Sequence, residues 1–311
     1  MPQSYLKICQ QPVYLLFDAL RMLKNRLLLA PNKTSFVMNK MLRVKIQDSL
    51  RKAGLLSLAE KFRYYQKLWS LKKANRNFIH QNPNFKLPPE MLAFDAYSAP
   101  DWDFYKRSGE GTAEFLTRMM RKYVPLDGPG SIYEWGCGPA RVVRHLPGQM
   151  GPSVTVYGTD YNPQTVQWCK ANIPEVRFEL NGLNPPLPFN DNTFDFIYCI
   201  SVFTHLAETT SLNWAHEIYR VLKPGGVFLA TTGGDGVYEK ELLDNERKAY
   251  ETQGVVVRGN YEEGKKMYLA RHSPRYVREK LLKKFRIEEH SASGFPFIEQ
   301  DYWVARKPAV V

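Results

Sequence analysis

Between residues 130 and 232 short apolar runs alternate with amphipathic stretches and with turns rich in glycine, proline, asparagine and aspartate. Gly130 to Tyr133 follows a Pro/Gly turn and opens into Ile132 and Trp135, which predicts a short strand. Val154, Val156 and Gly158 alternate as in a second strand, and Pro163 to Asn172 predicts the helix after it. Val176 and Phe178 predict a third strand. Phe194 to Val202 is an apolar run whose length and composition suit a buried fourth. Val221 to Gly226 reads as a helix end and turn, and Val227 to Thr232 as a fifth strand. Strands alternating with helices predict an α/β fold on a mostly parallel sheet.

Upstream the period becomes helical. Val13, Leu16, Leu20, Leu23 and Leu27 are spaced 3, 4, 3, 4, and Pro31 ends that stripe. A second helix is expected from Ser35 to Lys52, with Gly54 as its stop. A third is expected from Leu55 to Lys73, with Leu55, Leu58, Phe62, Tyr65 and Trp69 again spaced 3, 4, 3, 4. Three such helices are expected to pack as a small bundle. Asn82 to Pro89 reads as a linker. Phe94 to Tyr105 is rich in aromatic residues, and a helix from about Gly111 to Tyr123 leads into the first strand.

The chemistry concentrates in Ile132-Tyr133-Glu134-Trp135-Gly136-Cys137-Gly138-Pro139-Ala140-Arg141, with Asp160 standing 22 residues after Gly138 at the end of the second strand. A strand, a glycine turn, a helix start and an acid at the next strand's end are how an open α/β sheet holds an adenosine-containing cofactor. Gly136 and Gly138 let the backbone turn and approach a ligand without a Cβ in the way. Val142, Val143 and Leu146 predict a helix, whose free N–H groups would favour a carboxylate. The third glycine of the dinucleotide fingerprint is missing, with Arg141 in that region. Glu134 would repel a pyrophosphate and attract the ammonium group of a methionine moiety, so charge favours S-adenosylmethionine over a dinucleotide. Asp160 is placed to take both ribose hydroxyls. The competing reading is a helix N-cap before Pro163.

The pieces E-W-G-C-G-P-A-R, G-T-D-Y-N, L-P-F-N-D-N-T-F-D, S-V-F-T-H-L and L-K-P-G-G, in this order over residues 130–232, resemble the class I S-adenosylmethionine-dependent methyltransferases, most closely the bacterial small-molecule and glycan type. A helix from Ser273 to Lys284, strand-like Ile287 to His290 and the closing Asp301 to Lys307 look like that family's last helix and final antiparallel hairpin. The resemblance implies a doubly wound, seven-stranded, mostly parallel Rossmann-like sheet with a helical N-terminal extension. Together with the helical periodicity and the prolines upstream, it gives the expected division into a basic helical extension at 1–80, a linker and aromatic lid segment at 81–110 and the catalytic domain at 111–311. It further implies that Glu134, Gly136, Cys137 and Gly138 hold the methionine end. Asp160 would bind the ribose, Tyr161 would flank the adenine, and Asn181, Gly182 and Leu183 would lie along the adenine edge. Ser201 would stand where the fourth strand opens into the active-site mouth. Ala140 departs from the family, which often carries another glycine there. For Arg141 two readings stay open, the cofactor carboxylate or a solvent-facing surface.

Charge changes the picture at the N-terminus. The net charge is +12, and residues 1–80 hold 16 Lys or Arg against 3 Asp or Glu, while the remainder holds 27 against 28. The basic character therefore belongs to the extension and bears on partners. A solvated helical bundle, a subdomain packed on the core or on a second subunit, peripheral contact with an anionic membrane, and an acidic partner all fit it. Its aromatics lie on the apolar stripes and not among the basic residues, which disfavours nucleic acid. Cys9, Cys137, Cys169 and Cys199 are scattered, as expected of reduced thiols and not of a disulfide frame or zinc site. No metal is expected. No apolar run of about 18 residues occurs and no small-residue cleavage site follows the start, so neither a membrane span nor a secretory leader is expected. The expected location is cytoplasmic, with the inner face of a membrane as an alternative.

The resemblance implies an in-line displacement at a sulfonium methyl group, for which the protein positions an acceptor and, where needed, removes its proton. His205, four residues after Ser201, is the candidate base; the competing reading is a hydrogen-bonded histidine in the wall. Asn184-Pro185-Pro186-Leu187 stands before the fourth strand and ends in leucine, so it is set aside as an amino-methylating motif. The expected acceptor is an O or N atom of a small molecule, glycan or lipid precursor. The alternatives are an RNA methyltransferase and a catalytically idle cofactor-binding scaffold.

Overall fold

The computed structural model of the chain describes residues 33–124, 128–237 and 241–309. Seven strands form one sheet: β1 (Gly130–Trp135), β2 (Val154–Asp160), β3 (Arg177–Leu180), β4 (Phe194–Cys199), β5 (Leu222–Thr232), β8 (Arg286–Ser291) and β9 (Asp301–Arg306). A separate antiparallel ribbon joins β6 (Val255–Arg258) to β7 (Leu269–His272). The order across the large sheet is β3-β2-β1-β4-β5-β9-β8. Strands β1 to β5 run parallel, while β9 is antiparallel to both β5 and β8. The order reverses between β1 and β4, and a crevice at the carboxyl ends of strands beside such a reversal is where open α/β sheets take ligands.

The central strands are buried on both faces, as parallel sheets require. Ile132, Phe196, Tyr198 and Leu229 pack with Leu116, Met120, Val143 and Val166 on one side. Tyr133, Ile197 and Phe228 pack with Trp214, Ile218, Val277 and Leu281 on the other. All five expected parallel strands are present. β1 runs on to Trp135, and β4 stops at Cys199, short of Val202, because the chain turns through Ser201 at φ 61°.

The helices are α1 (Lys33–Lys52), α2 (Leu56–Gln81), α3 (Glu90–Tyr97), α4 (Trp102–Tyr123), α5 (Pro163–Asn172), α6 (Glu208–Val221) and α7 (Asp244–Gln253). The chain divides into two compact units, one up to Ser49 and one from Leu50. The expected stripe Val13 to Leu27 lies outside the described residues.

Four elements differ from the sequence reading. First, α4 begins at Trp102, ahead of Gly111, with Asp101 Oδ1 capping it by accepting from Phe104 N–H at 3.1 Å. Gly109 and Gly111 look like helix breakers but are points of close approach. A Cβ at Gly109 would run into the Arg141 carbonyl oxygen, and one at Gly111 would stand 2.8 Å from the Phe297 ring. Second, the helix expected over Val142 to Leu146 is only a 3-10 turn, Val143–His145, followed by the short helix Pro147–Met150. Ala140 at φ 56° and Pro147 bracket the segment and stop a longer helix from forming. Third, α2 does not bury its 3, 4, 3, 4 stripe: Leu55, Leu58, Phe62, Tyr65 and Trp69 are 40%, 54%, 47%, 66% and 82% exposed. It packs through another face. Leu56 and Phe78 are buried, Tyr64 meets Phe94 edge-on at 5.1 Å, and Asn75 donates to the Pro100 carbonyl at 2.7 Å. The C-terminal helix is likewise shorter than expected: Pro274–Tyr276 passes into a wider turn, Val277–Leu281, before the β8–β9 hairpin.

The contact at Gly109 gives a direct test. On an open helix Gly→Ala stabilises by up to ~1 kcal/mol. Here Gly109→Ala is expected to destabilise by about 1–3 kcal/mol, because backbone must move to admit the methyl group. Urea denaturation measures it, and an unchanged or raised midpoint contradicts the contact.

Candidate active site

A cleft of about 510 Å³ opens at the carboxyl ends of β1, β2 and β4. It is lined by every position singled out in the sequence: Glu134, Gly136, Cys137, Gly138, Asp160, Tyr161, Asn181, Gly182, Leu183, Ser201 and His205. The glycine loop forms its floor. Gly136 N–H and Cys137 N–H both donate to the Thr159 carbonyl, at 2.9 and 2.8 Å, so the loop leaves β1 still tied to β2. Gly136 (φ 73°) and Gly138 (φ 51°) lie in the left-handed region, where a side chain is strained. The Cys137 thiol is buried and donates to the Gly138 carbonyl at 3.4 Å.

Asp160 closes the loop. Its Oδ2 accepts from Gly138 N–H at 2.9 Å and its Oδ1 from Asn162 N–H at 2.8 Å. The cap of α5 is Asn162, whose Oδ1 accepts from Gln164 N–H and Thr165 N–H, so Asp160 is not the N-cap. Burial raises its pKa, against the pull of the two N–H groups. The carboxylate borders the cleft, and its remaining lone pairs can accept from a vicinal diol.

Glu134 sits at 3% exposure near the end of β1. Its Oε2 accepts from Val143 N–H at 3.1 Å and from the Tyr198 hydroxyl at 2.8 Å, which leaves Oε1 for a ligand. Burial pushes its carboxyl up to about 8, opposed by Tyr198, Arg141 and Val143. An ammonium group placed there would restore the carboxylate.

Arg141 is not solvent-facing: it is 8% exposed, borders the cleft and donates to Ser108 Oγ at 2.9 Å. Its guanidinium lies 4.9 Å from the Tyr97 ring centroid. Apart from Glu60 Oε2, which meets Lys266 Nζ at 3.0 Å, three buried polar atoms of cleft-lining residues have no hydrogen-bond partner within the described chain: the Tyr97 hydroxyl, Arg141 Nε and Asn181 Oδ1. Two are donors beside the glycine loop, suited to a carboxylate. The third is an acceptor beside Gly182, suited to an exocyclic amine. Such orphans are rare in folded chains unless a ligand or water meets them.

On the far wall, the Tyr161 hydroxyl donates to the Gly264 carbonyl at 3.2 Å, and the Leu183 carbonyl accepts from Trp214 Nε1–H at 2.7 Å. Ser201 N–H donates to Thr231 Oγ1 at 2.7 Å, which fixes the turn after β4. His205 Nδ1 lies 2.8 Å from the Tyr268 carbonyl and must carry the proton there, so Nε2 holds the free lone pair. Burial lowers its pKa to about 4. Asn184 to Leu187 precede β4, away from the strand end that an amino-methylating motif would need.

The sequence reading missed several cleft residues. Tyr97 belongs to the segment expected as an aromatic lid, with no role of its own assigned. Tyr198 lay inside an apolar strand. Lys266 reads in sequence only as one of the polar and aromatic residues of an insertion, 233–272, that suit a sugar or an anionic acceptor or a solvated surface loop. It pairs with Glu60 at 3.0 Å, donates to the Phe94 carbonyl at 2.9 Å and lies 3.3 Å from the Phe94 ring centroid. Among the described residues no group of three or more His, Cys, Asp or Glu is placed to hold a metal ion.

Residues 133–230 match the family model described as a methyltransferase domain. The chain is similar to a sterol 24-C-methyltransferase of Schizosaccharomyces pombe, 34% identical over 154 residues that cover 46% of this chain and 36% of that protein. It is similar to a demethylmenaquinone methyltransferase of Anoxybacillus flavithermus, 32% identical over 29% of this chain and 39% of that protein. The chain thus spans under two-fifths of the length of either. A solved SAM-dependent methyltransferase from Methanosarcina mazei superposes with a TM-score of 0.47 at 18% identity, covering 62% of this chain and 98% of that one.

The raised pKa of Glu134 predicts a pH dependence of the ligand-free protein. The folded state keeps the proton that the unfolded state releases near pH 4.5, so this group's contribution is full below that pH and is lost as pH rises to about 8. Wild type should therefore lose on the order of 3–5 kcal/mol relative to Glu134→Gln across that range. Chemical denaturation of both proteins at several pH values measures the difference, and a flat difference would contradict the burial of this carboxyl.

Proposed function

We propose that this chain, which carries a class I S-adenosylmethionine-dependent methyltransferase domain, binds S-adenosylmethionine in the cleft and transfers its methyl group to a small-molecule acceptor. The observation that carries the reading is the set of polar groups around the glycine loop that keep hydrogen-bonding capacity toward the cleft. Arg141 Nε and the Tyr97 hydroxyl, both without a partner, suit a carboxylate. The second oxygen of Glu134 suits an ammonium group, and the remaining lone pairs of Asp160 suit a ribose diol. These together are complementary to the zwitterionic methionyl end and the nucleoside end of that cofactor. Tyr161 flanks the adenine, and Asn181, Gly182 and Leu183 edge it.

S-adenosylmethionine supplies a methyl group already activated by its sulfonium. The residues of the chain position the acceptor and exclude water, contributions of up to ~7–11 kcal/mol when alignment is good. His205, neutral at physiological pH with its Nε2 lone pair free, takes the proton of a hydroxyl or amine acceptor. Its lowered pKa makes it a weak base, in keeping with a proton that leaves as the new bond forms. Phe104, Ile200, Val202, Phe297 and Ile298 line the cleft and suit an acceptor with an apolar body, a lipid precursor more than a glycan. The sterol and demethylmenaquinone methyltransferases among the relatives support that preference.

Calorimetry with S-adenosylhomocysteine tests the cofactor assignment. Asp160→Asn should weaken binding by roughly 100-fold through loss of charge-assisted bonds. Unchanged affinity rejects the ribose role. His205→Ala should slow turnover ~10²-fold or more with cofactor affinity intact. The wild-type rate should fall only as pH drops toward about 4, where His205 protonates, and not near the usual 6.5. Full activity of the variant removes His205 from the mechanism.

A further inference from the structure

The amphipathic stripe of α2 points away from the sheet domain. At ~100° per residue, Leu58, Tyr65 and Trp69 stand opposite Glu60, Tyr64 and Phe78, the residues through which α2 packs. Trp69 is 82% exposed, Tyr65 66% and Leu58 54%. Lys61, Lys72, Lys73 and Arg76 are exposed beside them. The one acid of the helix, Glu60, lies on the packed face, bound by Lys266 at 3.0 Å and Arg63 at 2.9 Å. The outer face of α2 is thus apolar and aromatic along its middle, cationic along its margins and free of acidic residues.

We propose that this face docks on a bilayer rich in anionic phospholipid, lying in the plane of the interface. Leu58, Tyr65 and Trp69 enter the acyl boundary, where tryptophan and tyrosine are favoured, and the lysines and Arg76 meet phosphate headgroups. The occupant follows from the charge. A basic rim around exposed aromatics complements an anionic surface with an apolar interior, whereas a second copy of the face would repel it. Among the described residues no helix is long and apolar enough to cross a membrane, so contact through α2 is superficial. The same helix supplies Glu60 to the cleft rim, so docking holds the cleft beside the lipid. The delivery of a lipid-like acceptor by this route rests on the methyltransferase reading; the docking does not.

Co-sedimentation of the full chain with phosphatidylglycerol/phosphatidylcholine vesicles, with phosphatidylcholine vesicles as the control, tests the proposal. Binding to the anionic vesicles, weakened by salt, is expected. Trp69→Glu and, separately, Trp69→Ser should lower it by about tenfold or more. Lys72→Gln with Lys73→Gln should lower it roughly tenfold. Unchanged S-adenosylhomocysteine affinity and circular dichroism certify that each variant is folded. Vesicle binding without cofactor affinity would refute the function and leave the docking standing. Equal vesicle binding by wild type and both Trp69 variants overturns the docking. So does a Trp69-dependent dimer in solution without vesicle binding, which assigns the face to a second copy. So does strong protection of the Trp69 indole fluorescence from aqueous quencher in the vesicle-free chain, read as the difference between wild type and Trp69→Ser, which assigns the face to another part of the chain.

Discussion

Asp160 fastens the glycine loop to the sheet. Its two oxygens take the N–H groups of Gly138 and Asn162, so the end of β2, the loop after β1 and the cap of α5 form one bonded unit. The loop lacks a long helix behind it, since only short turns follow. Its position therefore depends on this carboxylate, on the shared Thr159 carbonyl and on the close approach of α4 at Gly109. Glu134 adds the parallel tie from β1 to Val143 and β4. Two buried acids thus set the geometry of the site and hold lone pairs in reserve for a ligand. A buried carboxylate is unfavourable unless hydrogen-bonded, and here each is bonded on the protein side and open toward the cleft.

Around this hub the outer wall comes from segments outside the matched residues 133–230. The insertion at 233–272, between β5 and the C-terminal elements, is stitched to the turn after β4: Gly264 N–H donates to the His205 carbonyl, His205 bonds the Tyr268 carbonyl, and Ala207 N–H donates to Glu263. Lys266 joins that insertion to α2 and α3 through Glu60 and Phe94. The sheet end supplies a general cofactor cradle, while α2, α3, the insertion and the β8–β9 loop shape what else enters. Residues of these outer segments line the cleft, and on a shared scaffold function follows from such sites and not from the fold.

Strands β1 to β5 were legible because a buried parallel strand writes itself as a short apolar run between turn residues. The lining residues on the loop and strand ends were legible because glycine and carboxylate at those spacings have few other uses. Where the reading failed, tertiary contacts had overridden local signal. The helix read from about Gly111 begins at Trp102, and Gly109 within it is a point of contact. Ala140 reads as tolerable and holds a left-handed turn that, with Pro147, shortens the next helix. The α2 stripe reads as core and lies exposed, because periodicity reports an apolar face without naming what it meets. Tyr97 and Lys266 reach the cleft across long sequence separations, which no local pattern encodes.

A crystal structure of the chain with S-adenosylhomocysteine decides whether Glu134 and Asp160 hold the two ends of the cofactor. The ligand amino nitrogen is expected within about 2.7–3.2 Å of Glu134, its carboxylate on Arg141 and the Tyr97 hydroxyl, and the ribose hydroxyls on Asp160. A ligand seated elsewhere, or one whose ribose turns away from Asp160, would contradict it.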